Sequence, residues 1–184
     1  ISLDNDLIIT NENAFTIMSE DGRTITCGGY RIIIGPNADV TVGGTLNITG
    51  SAPSTVGVQN SGAFILAGGT VANSSETAES AAVLVSEYGT ATISGGTINA
   101  SETGLLIAGD TGTASVTGTS QITGKYGIKI AGGSLTLDGG SISGTIRGIE
   151  IGAGQLGISV SDNLSVSGGI YTETGSSILS ALPS

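Results

Sequence analysis

Gly127-Ile128-Lys129-Ile130-Ala131-Gly132-Gly133-Ser134-Leu135-Thr136-Leu137-Asp138-Gly139-Gly140-Ser141-Ile142-Ser143-Gly144 is the stretch whose reading decides the fold. It holds three short runs in which aliphatic residues alternate with other residues, and glycines separate the runs. Alternation at period two places one side chain inward and the next outward, as on a strand half in contact with a core. The first run recurs. Ala82-Val83-Leu84-Val85, Gly104-Leu105-Leu106-Ile107, Gly127-Ile128-Lys129-Ile130 and Gly148-Ile149-Glu150-Ile151 begin 22, 23 and 21 residues apart. Gly57-Val58-Gln59-Asn60 reads as an earlier, weaker member.

A second column runs alongside. It comprises Phe64-Ile65-Leu66, Ala91-Thr92-Ile93, Ala114-Ser115-Val116, Leu135-Thr136-Leu137 and Leu164-Ser165-Val166. Most members lead into a Gly-Gly pair: Gly68-Gly69, Gly95-Gly96, Gly139-Gly140 and Gly168-Gly169. A third, shorter column is centred on Val71, Ile98 and Ile142, and Ile122 fits it one residue late, which predicts a bulge or a lengthened turn.

Three strands and three turns in so short a repeat leave no room for a crossover helix. The pattern fits a coil that climbs one strand spacing per turn, each strand pairing in parallel with its counterpart in the next repeat. The fold class is therefore all-β, a right-handed parallel β-helix or solenoid, with three short strands per coil and about 21–27 residues per coil. The hand follows the general preference of parallel crossovers. With coils roughly 4.8 Å apart, roughly eight coils would make a rod about 40 Å long. Val83, Leu105, Ile128 and Ile149 should stack in one inner ladder, and Val85, Ile107, Ile130 and Ile151 in the next.

The whole chain, 1–184, reads as one β-helix domain. Residues 1–50 are strand-like but less regular, and they read as opening coils and an N-terminal cap. Leu7-Ile8-Ile9, Phe15-Thr16-Ile17, Thr24-Ile25-Thr26, Ile32-Ile33-Ile34 and Val40-Thr41-Val42 leave their register ambiguous. Glu12, Glu20, Asp21 and Arg23 suit a polar cap over an open sheet edge. About 172–184 reads as a C-terminal tail.

Composition agrees and excludes. The 184 residues include 32 glycines, with 11% charged and 3% aromatic residues. The formal charge is −10, with five basic residues. A nucleic-acid partner needs a cationic face, which five bases cannot build, and anionic lipid is excluded on the same ground. No apolar run is long enough for a membrane helix, so this segment is not expected to insert. Cys27 has no disulfide partner in the chain and reads as a small buried apolar residue.

These motifs carry a resemblance. Gly-Gly-Thr-Ile-Asn (95–99), the run 135–144 and Gly127-Ile128-Lys129-Ile130 resemble pectate-lyase-like right-handed β-helix proteins. More narrowly, they resemble Gly/Ser/Thr-rich β-helical segments of large bacterial surface proteins. The resemblance spans about residues 30 to 171. It implies a bacterial, extracellular or cell-surface setting, neighbouring domains of a larger surface protein, and a host glycan or protein as ligand. Enzymes of the group work on polysaccharides, but fold likeness does not transfer an activity.

The chemistry those enzymes need is not assembled here. The chain has no histidine and no adjacent Asp pair. The acids on the regular coils, Glu87, Asp110, Asp138, Glu150 and Asp162, are thinly spread, although Asp138 and Asp162 would be neighbours if their coils stack. One cysteine and no histidine do not supply the donor set of a zinc site, and no calcium-binding motif is present. No catalytic residue, metal ligand or cofactor is assigned. Tyr88 and Tyr126 are candidates for a sugar-stacking platform, and Asp138 and Asp162 for ligand contacts. Gln59, Leu84, Leu106, Lys129 and Glu150 should project outward from successive coils. Lys129 and Glu150 would then pair, and Leu84 and Leu106 would form an exposed apolar contact for a partner. Threonines at 16, 24, 26, 41, 92, 113, 117 and 136 raise the question of ice binding, but they form no repeated Thr-x-Thr in one column. The expectation is a non-catalytic structural or adhesive module. The alternative is a carbohydrate-active or carbohydrate-binding β-helix.

Overall fold

A computed structural model describes residues 1–10, 14–159, 163–173 and 177–181. Among them every regular element is a strand, and all pairings are parallel. The strands form one β-solenoid of about seven turns, against the roughly eight coils read from the sequence, with partial coils at both ends.

The first column begins with Leu7–Ile9, Ile32–Ile34, Ser54–Val58, Ala81–Val85 and Thr103–Ile107. It continues through 126–130 and 147–151 to Ile170–Thr172. The second includes Ala14–Ser19, Asp39–Gly44, Ala63–Leu66, Thr90–Ile93, Gln155–Ser159 and Ser177–Ala181. The third includes Thr24–Gly28, Asn47–Gly50, Thr70–Asn73, Thr97–Ala100 and Leu164–Ser167. Two strands, Thr113–Ile130 and Ser134–Ile151, run unbroken through all three columns. The step between vertical neighbours is 25 residues from Leu7 to Ile32, 27 from Val56 to Val83 and 21 from Ile128 to Ile149.

The inner ladders match the repeat. Val83, Leu105, Ile128 and Ile149 pair in succession and are fully buried. Val85, Ile107, Ile130 and Ile151 do the same. Each such residue contributes roughly 1.5–3 kcal/mol on leaving water, so the rod is held by a continuous aliphatic column. The strands before residue 50 enter the same three columns, with Leu7 against Ile32, Phe15 against Val40 and Ile25 against Ile48. Cys27 is buried in this core. Phe64 is too, whereas Phe15 is exposed, because the opening turn has no coil beneath it.

Three register details differ from the sequence reading or sharpen it. Leu164-Ser165-Val166 lies in the third column, opposite Gly140 to Ile142. The second-column place in that coil belongs to Leu156-Gly157-Ile158, opposite Leu135 to Leu137. Gly168-Gly169 misled because a glycine pair marks any tight corner with positive φ; here it precedes the first column. The early first-column member is Val56-Gly57-Val58, so Gly57, not Gln59, stands outward beside Leu84. Gln59 instead begins the next turn. The displaced Ile122 does mark an irregularity: the register shifts between Gly118 and Gln121, and Ile122 still faces Ile98 and Ile142.

The second-to-third corner shows why glycine is needed there. Gly69 and Gly96 have φ of 75° and 72°. A Cβ on Gly96 would stand 2.6 Å from the Gly69 carbonyl oxygen one coil below. The third column then repeats a simple outward pattern: Thr24-Ile25-Thr26, Asn47-Ile48-Thr49, Thr70-Val71-Ala72, Thr97-Ile98-Asn99, Gln121-Ile122-Thr123, Ser141-Ile142-Ser143 and Ser165-Val166-Ser167. The middle residues face the core and the flanking ones face solvent.

Candidate functional site

The first column brings the sequence-predicted residues to one outer face. Gly57, Leu84, Leu106, Lys129, Glu150 and Tyr171 follow one another in register. Beside it lie Tyr126 and Arg147 on successive coils, in register with the buried Thr103. Lys129 and Glu150 form the expected ion pair, at 3.4 Å. Arg147 closes on the other Glu150 oxygen. Each cation also lies over an aromatic ring: Lys129 Nζ is 4.6 Å from the Tyr126 centroid, and the Arg147 guanidinium carbon 3.7 Å from that of Tyr171. Nearby, Lys125 donates to Glu102 Oε2 at 2.9 Å. That hydrogen bond holds the Lys125 ammonium above its ordinary pKa, with the Glu102 charge adding to it.

Three of the five basic residues thus gather on one face. Lys129 and Arg147 are engaged with the Glu150 carboxylate, and each occupies a tyrosine face. Tyr126 therefore has one face covered by its own chain. Tyr88 lies past the opposite end of the strand, exposed in a turn at φ 58°. The register puts Tyr126 level with Thr103 and so with Ala81, four residues before Val85, roughly 13 Å along the strand. The two tyrosines do not make one platform.

Leu84 and Leu106 are vertical neighbours, but they do not form the exposed patch the sequence suggested. Leu106 is buried and Leu84 half-buried. The acids also separate. Asp110 lies in the turn between first and second columns, Asp138 faces out beside Thr117 at the end of a second-column segment, and Glu150 sits mid-strand in the first column. Asp162 and Glu12 lie outside the described residues. No group of three or more acids, cysteines or histidines that would hold a metal occurs among the described residues. Asp110 borders a shallow cleft of about 430 Å³ whose floor is Thr113, Ser134 and Gln155 from three successive coils. It carries no second carboxylate.

Sequence reading missed Arg147, Tyr171 and Glu102 as members of the face. The signal was present, since Arg147 follows Tyr126 by 21 residues and Tyr171 follows Glu150 by 21, one coil in each case.

Fold and face together define a parallel β-solenoid whose coils are tied across one outer surface by ion pairs and ring contacts. Compared with protein-family models, with curated proteins and with solved structures, the chain finds no match. The structure shows the parallel β-solenoid that the sequence predicted, and no family model supports the narrower resemblance to pectate-lyase-like proteins. No helix among the described residues is long and apolar enough to cross a membrane.

Proposed function

We propose that this chain is a non-catalytic, extracellular rod in a bacterial surface protein, with a structural and adhesive role. The observation that carries the reading is the dispersal of Asp110, Asp138 and Glu150 over three parts of the coil, around an unbroken aliphatic core. Acid–base cleavage of a glycosidic bond needs two carboxylates roughly 5–10 Å apart across the scissile oxygen. Glu150, the most enclosed of the three, is spent on two cations. A stack of parallel coils is stiff along its axis, which suits holding another domain at a distance or presenting an extended contact surface. The surface setting rests on the resemblance of the Gly/Ser/Thr-rich coils to segments of bacterial surface proteins.

The test is incubation of the purified chain with pectic and neutral polysaccharides, reading new reducing ends and unsaturated products. No product above a heat-treated control is expected. Turnover of any of these polymers would replace the proposal with the carbohydrate-active alternative.

A further inference from the structure

The two ends of the rod carry the same coil course, and both are open. At the base, Ser2 bridges Thr26 in the third column, Leu7–Ile9 pairs with Ile32–Ile34 in the first, and Ala14–Ser19 pairs with Asp39–Gly44 in the second. At the top, Leu164–Ser167, Ile170–Thr172 and Ser177–Ala181 enter the third, first and second columns in that same order. Each of these segments pairs on one edge, and no strand among the described residues covers the other. A parallel edge left so is a row of backbone donors and acceptors that a further strand would complete.

The base also lacks side chains beneath its core. A hollow of about 700 Å³ opens among Ile1, Ile17, Met18, Ile25 and Leu46, and another of about 430 Å³ among Ile8, Ile9, Phe15 and Ile17. Inside the rod the equivalent space is filled by the inward residues of the next coil. Leu7, Ile8, Phe15 and Met18 are exposed at the base, and Ile170, Tyr171 and Ile178 at the top. The ladders say which of these would meet. Leu7 and Ile170 are the two ends of one inner ladder of the first column. Phe15 and Ile178 are the two ends of one in the second. Ile8 and Tyr171 end the outward first-column row. Setting the base of one copy on the top of another therefore lays apolar or aromatic residues on each other at three places, and Ile9 on Thr172 at a fourth.

We propose that this chain associates head to tail, the base coil of one copy stacking on the top coil of a second. A free peptide strand would complete one column and leave the other two edges open. The top coil completes all three together, in the right order and with every strand parallel. It avoids the cost of ordering a flexible partner, because both coils are already held in their rods. The contact is heterologous and does not close on itself, so copies add in a line and the product is a longer rod. One coil end is smaller than a standard interface, so the Kd should lie roughly in the tens of micromolar.

The experiment is sedimentation velocity on the chain from about 1 µM to about 1 mM, which brackets that Kd. Salt at about 0.3 M screens the repulsion between copies of net charge −10. The intact chain is expected to grow in mass by whole multiples, with small-angle scattering showing constant width and increasing length. Phe15→Asp puts a charge on the base and Ile178→Asp puts one on the top. These side chains are 45% and 47% exposed in the single rod, so the fold tolerates the change. Each variant alone should stay a single rod. Mixed, the two should form a one-to-one pair of twice the mass and nothing longer, since one brings a free top and the other a free base. Circular dichroism checks folding, and Ile8→Lys and Ile170→Lys take their places if either does not fold. An intact chain that stays single throughout overturns the proposal. So does self-pairing of either variant, which would mean top-to-top or base-to-base contact, or a mixture that does not pair.

Discussion

Cys27 shows what a coil interior does to one side chain. It is completely buried beside Ile25 on the third column, and burial pushes its thiol from an ordinary 9.0 up to about 11. A thiol whose pKa is raised by folding keeps its proton longer in the native state. The stability tied to this difference is fully present below pH 9.0 and is lost as pH rises toward about 11. Across that window the folded chain should lose about 2 kcal/mol that Cys27→Ala does not lose. Urea titrations of both proteins at pH 8 and 10.5 measure it, and equal losses would contradict the buried-thiol account. The native thiol should likewise resist a thiol reagent until the chain is unfolded.

At the scale of the element, the first-column strands are joined outside as well as inside. Glu150 forms an ion pair with Lys129 one coil away and accepts a hydrogen bond from Arg147 on its own strand. Glu150→Gln keeps the shape and removes the charge, leaving the two cations facing each other. The side chains are 13–33% exposed, so solvent screens the interaction. The expected loss is about 1 kcal/mol at low ionic strength, shrinking as salt is added. Denaturant midpoints in low and high salt test it, and a salt-independent loss would show that packing matters more than charge. The same strands show how register can be misread. Gly57 stands at an outward position, so the local pattern fits two frames, and only pairing with Leu84 selects one.

At the scale of the molecule, a solenoid is nearly one-dimensional, and each coil draws support from its two neighbours. Central coils have both, while the opening turn has one. Leu7 and Phe15 on that turn are accordingly exposed, whereas their inward counterparts higher in the rod, Ile32 and Val56, Val40 and Phe64, are buried. Amide exchange should therefore be slowest in the strands between Val83 and Ile149 and fastest on Leu7–Ile9 and Ala14–Ser19. Mass-spectrometric exchange on the intact chain would show the gradient. Uniform protection along the rod would mean that the coils open as one unit.

The sequence by itself determined the architecture. Aliphatic residues recurring about every coil, at period two between glycine-rich corners, can be buried and paired only by stacking, and that requirement is local and repetitive. It also placed Lys129 against Glu150, because both belong to regular coils of nearly equal length. The tertiary structure decided what depends on distant register. It assigned Leu164-Ser165-Val166 to the third column, parted Tyr88 from Tyr126 along the strand, buried Leu106, and lined up short polar residues of different kinds into one neutral face. The physical reason is that the step between vertical neighbours varies from 20 residues (Ile122 to Ile142) to 27 (Val56 to Val83) through the corners. Inward residues announce their column by hydrophobicity, whereas outward residues become neighbours only once the backbone hydrogen bonds between coils are made.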